Sequence, residues 1–262
     1  MPLLTPLRPS AAIAERYDAR LAKLIATMHA DILRTVTREY RANTPEIVLL
    51  AADASPARAM QAALQKLGKR WLDRFDELAP RMAEYFATAV KDRVDATYRA
   101  DLRRAGMTVR FKMTAVMNDA YQAVRAENVS LIRSIPEQHL TAVEGHVMRS
   151  VQRGRDLGGL TEALVEQFGV TKRRAARIAR HQNNMATTTM RVVRELELGI
   201  TEGDWLHSAG GKTPRPPHVA FSRKRFKIAE GHDFGDGEGN VMPGVLLGCR
   251  CTWSAVVPGF DD

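Results

Sequence analysis

The chain has 262 residues, of which 45% are hydrophobic and 26% charged, with a formal net charge of +9. This length and composition suit one large globular domain or two modest ones, and no apolar run is long enough to span a membrane as a helix. The basic balance favours acidic partners, whether nucleic acid, an acidic protein surface or a membrane face, and charge alone does not decide among them.

The start, Met1 to Arg8, is too short and too broken by proline for a signal peptide. Synthesis and action in a reducing cytoplasm are therefore expected. There the two cysteines, Cys249 and Cys251, are thiols or metal ligands before they are a disulfide.

From Ser10, a plausible N-cap, apolar residues fall at Ile13, Tyr17, Leu21, Leu24, Met28, Ile32, Val36 and Tyr40. Steps of three and four place them on one stripe of a long helix, which Asn43-Thr44-Pro45 should stop. Ser55-Pro56 restarts the pattern through Leu64, Leu67, Trp71, Phe75 and Leu78. Pro80 is expected to kink or split that helix. Beyond it Met82, Phe86, Val90, Val94 and Tyr98 continue to Gly106.

Val109 to Met113 reads as a brief extended or turn-like piece, after which Thr114 can cap a helix through Val116, Tyr121, Val124 and Leu131. Ile135-Pro136 should break the chain before another stripe at Leu140, Val143, Val147 and Val151, closed by Gly154. A short helix follows Gly158-Gly159 and ends at Gly169. Thr171 then caps the last long helix, which runs through Ile178, Met185, Val192 and Leu196 to Gly199. Six or seven helices result, several longer than the globular norm.

From Trp205 the period changes. Trp205 to His207 and Arg225 to Ile228 read as short strands. Cys249, Cys251, Trp253, Ala255 and Val257 alternate with polar or small neighbours, as in a half-buried strand. Gly231 to Gly239 is an acidic, glycine-rich loop. The fold class is therefore mainly α: an elongated helical body with a small α+β C-terminal module. Its parts are a long-helix region over 1–110, a second helical region over 111–199 and the module over 200–262.

Several of these residues resemble a known family. The run Asn128 to Pro136, then Gly158-Gly159-Leu160, then Arg174-Ala-Ala-Arg-Ile-Ala-Arg180 is similar to the first half of the phage Mu F-like head morphogenesis domain. The second half is matched by Gly199, Trp205, Arg215 with His218, Pro243-Gly244, and Cys249-Arg250-Cys251. The resemblance covers about Asn128 to Val257. It implies a non-enzymatic minor head protein of a tailed phage or prophage, acting in the virion and, during assembly, in the host cytoplasm. The implied partners are the portal, major capsid or scaffold protein and packaged DNA, with no membrane. Two departures, Gly210-Gly211-Lys212 before Arg215 and His181-Gln182 after Arg180, remove acids, so no carboxylate role carries over there.

Three constellations carry chemistry. Cys249 and Cys251, on one face of a strand, can join His218 and either His207 or His232 as a zinc set. Two buried thiols packed beside Trp253 fit the same pattern, and a disulfide between such neighbours sits awkwardly. Arg215 and His218, with Asp233 or Asp236, could act on a phosphodiester. With no P-loop or paired carboxylates in the sequence, a role holding loop carbonyls is preferred for Arg215 and His218. Lys172, Arg173, Arg174, Arg177 and Arg180 crowd what reads as a helix opening. Positive charge there opposes the macrodipole unless DNA phosphates or an acidic protein surface bind.

Overall fold

The computed structural model describes residues 4–42, 56–152, 156–209 and 213–260. The expected signals at Asn43 to Pro45, Ser55, Gly154 and Gly210 to Lys212 lie outside the described residues. Four long helices carry most of the chain: α1 (Ala11–Ala42), α2 (Pro56–Arg104), α3 (Ala115–Gln152) and α4 (Leu157–Glu197). A C-terminal region of short elements follows: β1 (Glu202–Leu206), α5 (Pro216–Ala220), β2 (Arg225–Lys227), β3 (His232–Asp233), β4 (Asn240–Val241) and β5 (Thr252–Val256). The class is mainly α with a small β-containing module.

The expected stripes form the core. In α1, Ile13, Tyr17, Leu21, Leu24, Met28, Ile32, Val36 and Tyr40 are all buried, and the Ser10 carbonyl accepts the first helical bonds from Ile13 and Ala14. Thr114 caps α3, its hydroxyl accepting the Met117 N–H at 3.1 Å. Gly199, with φ of 77°, ends α4. The Ile200 N–H reaches back to the Glu195 carbonyl and Gly199 to Leu196, the paired bonds of a Schellman motif.

The expected split at Pro80 and the expected breaks at Pro136 and Gly169 are absent. Pro80 lies inside α2, Pro136 inside α3, and Gly169 and Thr171 inside α4. An interior proline costs about 3 kcal/mol, but apolar residues on either side of each proline hold the helix. Phe75, Ala79, Ala83 and Phe86 flank Pro80, and Ile132 and Ile135 precede Pro136, all essentially inaccessible. Each large apolar side chain so buried contributes about 1.5–3 kcal/mol, enough to outweigh the local penalty. Thr171 turns its hydroxyl back to the Gln167 carbonyl at 3.0 Å, so it bonds within the helix and caps nothing. Asp156 caps α4 instead, its carboxylate accepting the Gly158 N–H at 2.9 Å.

Contacts divide the chain into two compact units, each discontinuous in sequence. The all-helical unit comprises Arg16–Met82 and Glu127–Ile178. Long-range polar bonds stitch it: Tyr17 to Asn128 at 3.0 Å, Tyr40 to Ser150 at 2.8 Å, and the Trp71 indole N–H to Asp31 at 2.8 Å.

The mixed unit comprises Met1–Glu15, Ala83–Ala126 and Ala179–Asp262. Its sheet has the order β2-β1-β5, antiparallel throughout, with Trp205 opposite Trp253. Gly203 is required in β1 because a Cβ there would meet Cδ1 of Trp253 at 2.5 Å. β3 and β4 form a separate two-stranded ribbon across the glycine-rich loop. β5 begins only at Thr252, so Cys249 and Cys251 precede the strand and are not alternate residues of it. Both faces of β5 are covered, with Thr252 and Val256 as buried as Trp253 and Ala255. The half-buried alternation expected from sequence fails because Leu7 and Arg191 cover the second face.

Candidate metal centre

The two prolines of α5 occupy its first turn, where a missing N–H costs nothing. They bring His218 inward on a helix only one turn long. Its ring is 1% exposed, stacked on Phe234 at 4.5 Å and against the edge of Trp205 at 5.1 Å. Phe221 and Phe226 pack on the same indole.

The loop from Pro243 to Cys251 approaches from the other side, fastened by one face of α4. Thr188 donates to the Pro243 carbonyl at 2.8 Å, and Asn184 donates to the Cys249 carbonyl at 2.9 Å. Neither residue stands out in the sequence. Their spacing of four on a helix is the only signal that could have found them.

The result is a buried triad. Nδ1 of His218 lies 3.6 Å from Sγ of Cys249 and 3.7 Å from Sγ of Cys251. Both cysteines are free and buried. The ligand atoms of the three residues lie within 4.8 Å of one another, an arrangement that can hold a metal ion. Nε2 of His218 is buried with no hydrogen-bond partner. The thiols are unequal. The hydrogen bond from Cys251 pulls the Cys249 thiol well below its ordinary range, and the same bond, with burial, pushes Cys251 up.

A cavity of about 30 Å³ opens onto the triad, lined also by His207, Ser208, Thr213, Arg215 and Arg250. Among the described residues no carboxylate lines it. The geometry sorts the sequence candidates. His207 reaches the cavity wall but not the triad. His232, on the β3–β4 ribbon, stacks on Phe221 at 3.7 Å and does not belong to the triad. Arg215 donates to the Leu247 carbonyl at 3.1 Å, the loop-holding role preferred from sequence. His218 holds no carbonyl; it faces sulfur. Asp233 and Asp236 accept the backbone N–H groups of Gly235 and Glu238, so both carboxylates serve their own turns.

The basic cluster is not at a helix opening. α4 begins at Leu157, so Lys172, Arg173, Arg174, Arg177 and Arg180 lie in its interior, and the macrodipole argument does not apply. Lys172, Arg173, Arg177 and Arg180 are exposed, with Lys172 over the Phe168 ring. Arg174 turns inward and donates to Ser134 at 2.9 Å.

A second buried polar cluster in the mixed unit was invisible in the sequence. Arg191, 1% exposed, donates to Tyr98, Glu195, Thr252 and the carbonyls of Leu7 and Trp253. Its guanidinium lies 3.6 Å from the Trp253 ring centroid. Glu195 also accepts the Trp253 indole N–H at 2.6 Å and the Tyr98 hydroxyl. One turn on, Arg194 binds Asp95 through two nitrogens, at 2.7 and 3.2 Å.

No protein-family model matches the chain, and no solved structure matches it. The chain is similar to an uncharacterized protein of Haemophilus influenzae, 24% identical over 265 residues that take in 98% of this chain and 55% of that protein. The chain thus spans about half the length of that relative.

Proposed function

We propose that this chain is a non-enzymatic minor head protein of a tailed phage or prophage, carried in few copies near the portal vertex. There it assists head assembly or DNA packaging and delivery by binding through shape and charge. The observation that carries the reading is spatial. Trp205, Arg215, His218, Cys249, Arg250 and Cys251, which bear the resemblance in the C-terminal region, gather around one buried triad and its cavity. The exposed Lys172, Arg173, Arg177 and Arg180 supply charge for packaged DNA or for an acidic surface on the portal, capsid or scaffold protein.

Zinc is the metal this reading assigns to the triad. Two thiolates and an imidazole are a zinc donor set. Bond lengths of about 2.3 Å to sulfur and 2.05 Å to nitrogen give a tetrahedral S···N edge of about 3.6 Å. The observed separations of 3.6 and 3.7 Å fit that edge, which names Nδ1 as the ligating nitrogen. Stacking on Phe234 and the edge of Trp205 orient the ring where a hydrogen bond to Nε2 commonly would. The ion would tie the 243–251 loop to α5.

A nuclease reading through His218 and Arg215 has less support. Nδ1 points at two sulfurs, Arg215 is spent on a carbonyl, and no acid among the described residues lines the cavity. Quantitative mass spectrometry of density-purified, DNA-filled particles induced from the source strain tests the proposal. A few copies per particle are expected. Absence from both particles and procapsids would overturn it.

A further inference from the structure

The triad supplies three donors, whereas zinc in a closed structural site takes four. The fourth must come from the cavity wall or from outside the chain. The described wall offers little. His207 is the one strong donor there, but it does not belong to the group whose ligand atoms lie within 4.8 Å of one another. Its backbone N–H is bound to the Ser222 hydroxyl at 3.2 Å, which fixes the strand end that carries it. Ser208 and Thr213 present neutral hydroxyls, and no carboxylate is present among the described lining residues.

The space itself is suited to a small ligand. About 30 Å³ is ample for one water-sized group, which needs about 10–15 Å³ on the same measure. Arg215 and Arg250 also line the cavity, so its charge favours an anion over a cation. Trp205 and Phe234 pack on the His218 ring and do not line the cavity, whereas Arg215 and Arg250 do. Access to the metal position is therefore from the arginine side.

We propose that the metal held by His218, Cys249 and Cys251 keeps its fourth position for an exchangeable ligand from outside the chain, water when nothing else is present and a small monodentate anion in preference to a cation. This rests on the metal reading given above. The site is then an open coordination centre with no carboxylate beside it among the described residues.

Cobalt(II) substitution of the full chain tests this, because d–d bands and sulfur-to-cobalt charge transfer report coordination directly. The wild-type protein should retain about one cobalt per chain through gel filtration, with thiolate charge-transfer bands that Cys249→Ser weakens and that Cys249→Ser with Cys251→Ser abolishes. Titration with azide should then change the d–d bands saturably while the cobalt stays bound, and His207→Ala should reproduce both spectra. Unchanged bands across the azide titration would overturn the open position, since the fourth ligand would then be a protein group. An altered spectrum for His207→Ala before azide is added would overturn it by naming that group. Failure of the wild-type chain to retain cobalt or zinc at all would sink the metal reading itself, an outcome distinct from the other two.

Discussion

Trp205 and Trp253 face each other across β1 and β5, and each leads into a buried polar cluster of opposite character. Trp253 leads to Arg191 and Glu195, where the guanidinium's nitrogens and both carboxylate oxygens are bonded. Trp205 leads to His218, Cys249 and Cys251, where a buried ring nitrogen has no partner and a cavity stands open. Buried polar groups are costly unless satisfied. A closed cluster has met that cost from within the chain and leaves no donor for a ligand. An open one keeps part of the cost unmet and still holds groups that a ligand can use, here Nδ1 of His218 and two thiols beside a cavity. The first is architecture, joining the N-terminal segment, α2, α4 and β5; the second is where a ligand belongs.

The largest effect should come from breaking the closed cluster. Glu195→Ala leaves the Arg191 charge, the Trp253 indole N–H and the Tyr98 hydroxyl short of their acceptor. A loss of about 3–5 kcal/mol is expected, the cost of an uncompensated buried charge. Urea unfolding followed by tryptophan fluorescence measures it. A loss below about 1 kcal/mol, the size of an exposed ion pair, would mean the network is wetter than its burial indicates and would erase the contrast.

The second test asks whether an unpartnered nitrogen alone makes a site. In the helical unit His29 stacks on Phe168 at 4.4 Å, and His139 bonds Thr171 at 2.8 Å. The Thr171 hydroxyl donates to the Gln167 carbonyl, so His139 donates from Nδ1 and its buried Nε2 carries an unused lone pair. No thiol or carboxylate joins this pair as a metal group among the described residues. Burial, with a smaller push from His29, lowers the His139 pKa from 6.5 to about 4, and burial lowers His29 as well. The folded value lies below the unfolded one, so the stabilising contribution is complete above pH 6.5 and is lost as pH falls through 4. At about 1.4 kcal/mol per unit, His139 removes up to about 3 kcal/mol across that window. Unfolding midpoints between pH 7 and 4 should show this, and His139→Gln should flatten the slope. An equal slope in that variant would assign the acid sensitivity elsewhere. Here the orphan nitrogen is a pH liability; at His218 the orphan Nε2 is likewise no ligand, and the site is made by Nδ1, two sulfurs and a cavity.

The two clusters were unequally legible in the sequence. The helical stripes were readable because one period of 3.6 runs through Ile13 to Tyr40 and through Phe86 to Tyr98, and burial followed it. The split at Pro80 and the breaks at Pro136 and Gly169 do not occur: a local penalty of a few kcal/mol is visible in sequence, whereas the burial that outweighs it is not. Cys249, Cys251 and His218 could be singled out by residue type. The strand argument that joined the cysteines was mistaken, since β5 starts at Thr252 and the triad forms where a loop meets α5. Arg191 and Glu195 are spaced by four on a helix, a pattern that carries no signal of burial. Nothing in a single sequence distinguishes that pair from the exposed Lys69 and Asp73, spaced alike on α2.

The smallest expected effect sharpens the comparison most. Asn184 touches neither thiol nor imidazole; it holds the Cys249 carbonyl from α4. In a closed cluster, losing one neutral hydrogen bond costs about 1 kcal/mol and nothing further follows. In an open cluster, the same loss frees a ligand-bearing loop, and the cost should also appear in binding. Asn184→Ala is therefore expected to lower stability by about 1 kcal/mol and to weaken metal retention by about tenfold, the lower end for a residue that supports a ligand. Competition against a chromogenic chelator reads the second quantity and urea unfolding of the metal-free protein the first. Loss of stability with unchanged metal affinity would place the loop's rigidity in Thr188, Gly244 and the turn around Gly248 rather than in Asn184. Loss of affinity without loss of stability would make Asn184 a positioning residue for the metal, because the scaffold would hold without it and only the approach of Cys249 to His218 would suffer.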